Sequence, residues 1–167
     1  MAYRNKTYVC FDGDNDIQYY RLMCAWKQNN GIEFSFYNAH DLSQARDSSQ
    51  EASIKAQLRE RLKNSKVMVV LIGENTKNLY KFVRWEMEQA LIMGLPIIAV
   101  NLNKLKEQDN NLCPAIIRDE LVIHIPFGPK IMQYALEHWP ASHATHVKAG
   151  RKESRHYLPS VYNDLGL

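Results

Sequence analysis

The residue of this chain best placed to do chemistry is Glu86, in the segment Tyr80 to Gly94, YKFVRWEMEQALIMG. At about 100° per residue, Val83, Met87, Ala90, Leu91 and Gly94 fall on one helical stripe that faces a core. Glu86 lies about 80° from the centre of that stripe, between Phe82 and Met93. Such a rim position removes part of a carboxylate's water and still lets it reach a cleft, which suits a functional acid. The plainer reading is a solvated helix charge. On the same wheel Trp85 projects away from the core, toward solvent or an interface, and Arg84 pairs with Glu88 at i,i+4.

Three aspartates, Asp12, Asp14 and Asp16, follow the first apolar run at alternate positions. A phospho-receiver carries acids there, but it also needs an acceptor Asp after its third strand and a Lys after its fifth. This chain has Gly73-Glu74 and Pro126-Phe127 at those places. Gly13 stands outside any GxGxxG or GxxxxGK[ST] pattern, so there is no standard phosphate loop. His143 and His146 have no further ligand at convincing spacing, and no metal site is expected. Cys10, Cys24 and Cys113 are odd in number, far apart and set among apolar residues, and read as reduced thiols in or near the core.

The elements that position these groups alternate. TYVCF (Thr7 to Phe11) reads as a strand running into a turn-rich loop. Asp16 caps a helix that Asn30-Gly31 closes, and IEFSFY (Ile32 to Tyr37) is a second strand. Asn38 to Ser49 is a polar loop too long for a tight turn. A second helix runs to Lys63 with Ile54, Leu58 and Leu62 at helical spacing. KVMVVLI (Lys66 to Ile72) and Pro96 to Leu102 have the unbroken apolar character of strands buried on both faces. Between them lies the helix of Glu86, capped by Thr76 or Asn78. Pro114 to Glu120 reads as a short helix, Leu121 to Pro126 as a fifth strand and Pro129 to Trp139 as a final helix.

This order predicts a three-layer, doubly wound α/β domain with five parallel strands, flavodoxin-like in type. Ligands in such sheets bind beyond the carboxyl ends of the strands. Asp12 to Asp16, Asn38 to Asp47, Gly73 to Asn78 and the chain from Asn101 all reach that edge, and Glu86, two turns into its helix, borders it. Residues 1–139 form the domain. Residues 140–167 form a basic extension that packs on it in part through Tyr157, Leu158, Val161, Tyr162 and Leu165.

Composition sets the outer bounds. A chain of 167 residues, 46% of them hydrophobic, makes one globular core. A net charge of +3 with interspersed signs gives no reason to expect nucleic acid. No signal peptide and no membrane-spanning run is evident, so the expected location is the cytoplasm.

Phe11 to Asp16 (FDGDND), KVMVVLIGENT and above all TKNLYKFVRWEMEQALIMGLPIIAVNL resemble the bacterial TIR-like family of the Thoeris antiphage systems, over Lys6 to Trp139. The resemblance implies the fold already inferred and an activity, cleavage of NAD by a Glu on the helix after the third strand, which Glu86 matches. Phe82 stands where the family commonly has Trp, four residues before that Glu. The loop from Asn38 to Asp47 corresponds to the variable loop beside the pocket, and Phe11, Asp12, Asn38, Asp41 and Phe82 are the implied substrate-binding residues. NAD would be the substrate, with no resident cofactor. The product would be a cyclic ADP-ribose-type signal for a separate effector. Self-association and a phage-derived trigger are implied as well. The alternative is a non-catalytic TIR-type interaction module with Glu86 as a surface charge. A third reading is a different glycosidic-bond enzyme acting on nucleosides.

Overall fold

The computed structural model describes residues 6–29, 35–38 and 51–167. Strand β1 (Lys6–Cys10) leads into helix α1 (Ile17–Asn29), strand β2 (Ser35–Asn38) and helix α2 (Glu51–Lys63). Strand β3 (Val67–Ile72), a short 3₁₀ turn at Thr76–Asn78 and helix α3 (Val83–Ile92) follow. Strands β4 (Ile97–Asn101) and β5 (Val122–Pro126), helix α4 (Pro129–Lys148), strand β6 (Arg155–His156) and helix α5 (Pro159–Asp164) complete the described chain.

All pairings are parallel, in the order β2-β1-β3-β4-β5-β6. The five expected strands form the body of the sheet, and two residues of the basic extension add a sixth at its edge. Every residue of β3 is buried, as its unbroken apolar run requires.

Strand alternation divides the core into two layers. Val9, Phe11, Val69, Leu71, Val100 and Ile125 face α1 and α4. Tyr8, Cys10, Met68, Val70, Ile72 and Ala99 face α2 and α3, against Ile54, Leu58, Leu62 and Met87. Burial of the first layer continues into the extension. Tyr162 is buried, Tyr157, Val161 and Leu165 pack beside it, and Lys130 Nζ donates to Leu165 O.

Four local expectations are corrected. The final helix does not stop at Trp139 but runs through Pro140 to Lys148, carrying Trp139 into contact with the rings of His143 and His146. One proline removes a single backbone donor, and the Trp139 ring, against those of His143 and His146, ties the turns before and after it together. Pro114 to Glu120 is a series of turns rather than a helix. Arg118 N bonds back to Pro114 O, and Asp119 at φ 60° takes the chain out of the helical region. Helix α3 starts at Val83, so Glu86 is one turn in rather than two. Neither Thr76 nor Asn78 caps it. The N-cap position is Phe82, and the Thr76 hydroxyl instead accepts from Gly73 N and donates to Leu71 O, closing the turn after β3.

Candidate active site

Glu86 enters the site from the first turn of α3, with its backbone N donating to Phe82 O at 2.7 Å. There the helix dipole favours an anion. Its side chain is not at a rim: it is 3% exposed, on the sheet face that carries Tyr8 and Cys10, both fully buried. Burial is the larger influence and raises its pKa to about 7, while the Cys10 thiol and Tyr8 hydroxyl beside it act in the opposite direction. No cation among the described residues contributes to that balance.

Tyr8 and Cys10 are themselves held protonated. Burial first, and then the charge of Glu86, push both their pKa values up. They therefore face Glu86 as donors. The Cys10 thiol also reaches Val83 O at 3.7 Å, and the buried Tyr8 hydroxyl lies close enough to influence Glu86 but has no partner in hydrogen-bonding geometry. A carboxylate between two weak donors, with no counter-charge among the described residues, is poised to accept a proton, a pair of hydroxyls or a positive charge.

Phe82, one turn before Glu86, is half-buried against the same layer, with Lys81 Nζ 5.5 Å from its ring centre. Trp85 does not stand free on the outer face. It packs against the α2/α3 layer, and Lys55 and Arg59 of α2 lie over its ring at 5.4 Å each. Lys55 is tied in turn to Glu51 at 3.0 Å. Arg84 lies over the exposed Tyr80 ring.

The other sequence-derived site residues are distributed differently. Phe11 alternates with Cys10 and so points to the opposite layer, where it stacks on Tyr20 at 5.1 Å with planes 8° apart. Asp12 is buried and closes its own loop. Its Oδ1 accepts from Asp14 N and Asn15 N, and its Oδ2 accepts from Asn15 Nδ2 at 2.7 Å. Asn38 ends β2, paired in register with Val9. Asp41 and the rest of the polar loop, residues 39–50, lie outside the described residues. The structure thus joins Glu86 with Phe82, Tyr8 and Cys10 and sends Phe11 to the other face. Tyr8 was the residue sequence reasoning missed. The signal was present, because in TYVCF it shares a strand face with Cys10.

Among the described residues no cluster of His, Cys, Asp and Glu could hold a metal ion, the three cysteines are free, and no helix is long and apolar enough to cross a membrane. His143 and His146 share a face of α4, but His146 Nδ1 is engaged by Arg151 and Arg155 at 3.1 and 3.0 Å.

A family model described as the Thoeris protein ThsB, TIR-like domain, matches residues 8–107, from β1 through β4 with Glu86 inside. Among solved structures, the chain is similar to a 2-deoxyribosyltransferase from the psychrotolerant bacterium Bacillus psychrosaccharolyticus. The two share 13% identity over 92% of this chain and 99% of the other, with a TM-score of 0.52. At that identity the likeness is one of fold, and it agrees with the flavodoxin-like sheet.

Proposed function

The chain belongs to the TIR-like family of ThsB proteins in Thoeris defence, and on that premise we propose that it consumes NAD, with Glu86 as the catalytic residue. The observation that carries this reading is the state of Glu86. It is buried, raised to about 7, and neutralised by no described cation. A group that costs stability where it stands is retained for a reason other than packing.

In the proposed reaction the bond between the ribosyl carbon and the nicotinamide nitrogen breaks, and its electron pair leaves with the ring, which becomes neutral nicotinamide. The ribose passes through an oxocarbenium-like cation. An ionised Glu86 accepting hydrogen bonds from ribose hydroxyls, and facing that developing charge in a water-poor site, favours the transition state over the ground state. The positive pyridinium ring lowers the pKa of a nearby carboxylate, so bound substrate itself drives Glu86 to the anion. The protonated Tyr8 hydroxyl and Cys10 thiol beside the carboxylate favour its ionised form. Phe82 gives the pocket an aromatic wall.

Capture of the cation by a nucleophile within the same ADP-ribose, with loss of that nucleophile's proton where it carries one, yields a cyclic product one water smaller than ADP-ribose; capture by water, with loss of a proton, yields ADP-ribose itself. In our reading the cyclic product is the cytoplasmic signal for a separate effector, and self-association after a phage-derived trigger activates the enzyme.

Chromatography of the protein incubated with NAD, beside Glu86→Gln and with extract of phage-infected cells as activator, tests this. Nicotinamide and a cyclic ADP-ribose-type product, one water lighter than ADP-ribose, are expected from the wild type alone. Nicotinamide release by the variant at the wild-type rate would remove Glu86 from the mechanism. Silence of the wild type even with extract would leave the interaction module as the better reading.

A further inference from the structure

A cleft opens at the carboxyl edge of the sheet, and Tyr8, Cys10 and Glu86 are not among its described lining residues. Its volume is about 530 Å³, within the range of small-molecule sites. It lies where the chain leaves β1, β3 and β4, which includes the point at which strand order reverses. Tyr19 of α1 and Leu102 after β4 supply apolar walls, and Asp16, Glu74, Asn75 and Asn103 supply polar atoms. None of the described residues lining it is basic.

Asp16 is the unusual member. It is 8% exposed, lines the cleft, and its Oδ2 has no hydrogen-bond partner. Its backbone closes the turn onto Asp12 O and opens α1, but, unlike the oxygens of the Asp12 side chain, its Oδ2 takes no part in that scaffold. Gly73 makes its position possible, because a Cβ there would run into the Asp16 carboxylate. Burial, and then the neighbouring charges of Asp12 and Glu74, raise its pKa to about 6, so it is mainly ionised at neutral pH and lacks a counter-charge among the described residues. A buried, unpaired carboxylate is costly unless something pairs with it.

We propose that this cleft binds a small organic cation of about nucleoside size, whose charge and hydrogen-bond donors pair with Asp16 and Glu74 while its ring lies against Tyr19 and Leu102. An anion is disfavoured by the two carboxylates. Glu86 is not among the described residues of this site, which does not rest on the NAD reading.

Calorimetric titration in a Glu86→Gln background removes turnover from the measurement. The probes are nicotinamide riboside as the cation, adenosine as a neutral nucleoside and AMP as the anion. Nicotinamide riboside should bind roughly tenfold or more tightly than adenosine, as charge-assisted pairing implies, and AMP most weakly. Adding Asp16→Asn should remove that advantage and leave adenosine within about twofold of its former affinity, the charge term having gone. Glu74→Gln, on an exposed residue, should weaken the cation without affecting folding, and serves if Asp16→Asn unfolds. Absence of binding by the cation, equal or tighter binding of AMP, or indifference of the cation to both substitutions would overturn the proposal.

Discussion

Replacing Glu86 with Gln should abolish turnover and at the same time stabilise the folded protein at neutral pH. Burial raises the Glu86 pKa from 4.5 to about 7, an interval worth about 3 kcal/mol at ~1.36 kcal/mol per pH unit. The sign follows from proton binding. The folded state holds this proton more tightly than the unfolded state, so as pH rises from 4.5 to about 7 the unfolded chain gains ionisation energy that the folded chain does not. Wild-type stability therefore falls across that window relative to a residue that does not titrate. The stability difference between Glu86→Gln and wild type should be smallest near pH 4, grow by about 3 kcal/mol and level off above pH 7. Urea titrations of both proteins at several pH values between 4 and 8 would measure it. The difference is the quantity to follow, because His124 titrates in the same range with the opposite sign and masks the effect in the wild type alone. A difference flat with pH, or one that turns against the variant at pH 8, would refute the reasoning. It would mean that the ionised carboxylate is satisfied by its surroundings and holds the structure together.

Tyr8→Phe removes a donor beside Glu86 and an unpartnered buried hydroxyl, so the Glu86 pKa should rise further, shifting the acidic limb of the pH–rate profile upward with little loss of stability. His124 is buried with neither ring nitrogen partnered, and burial, then His156, lower its pKa to about 4. Stability should thus be lost as pH falls from 6.5 toward 4, and His124→Leu should flatten that decline in thermal scans. Tyr162→Ala should cost about 3 kcal/mol in urea titrations, as loss of a large buried ring does, because that ring anchors α5 to the first core layer.

Period and composition were enough to read most of this fold from the chain. VMVVLI and IIAV can only be strands covered on both faces, and Ile54, Leu58 and Leu62 recur at a spacing that only a helix turns into one face. Glu86 was singled out from the sequence through its place on a helix after the third strand and the VRWEMEQAL segment around it. Tertiary structure decided its environment. A helical wheel assumes one buried stripe, but α3 packs against both the sheet and α2, so its buried arc is wider and takes in Glu86 as well as Val83 and Met87. The same packing covers Trp85 with Lys55 and Arg59, which are about thirty residues earlier in the chain and beyond any local pattern. Strand parity likewise separated Phe11 from Cys10, one residue apart and on opposite faces. The extension's place at the sheet edge depended on β5 offering a free edge to Arg155 and His156. Local sequence sets the period of each element, whereas burial, pKa and partnership depend on residues brought together from distant parts of the chain.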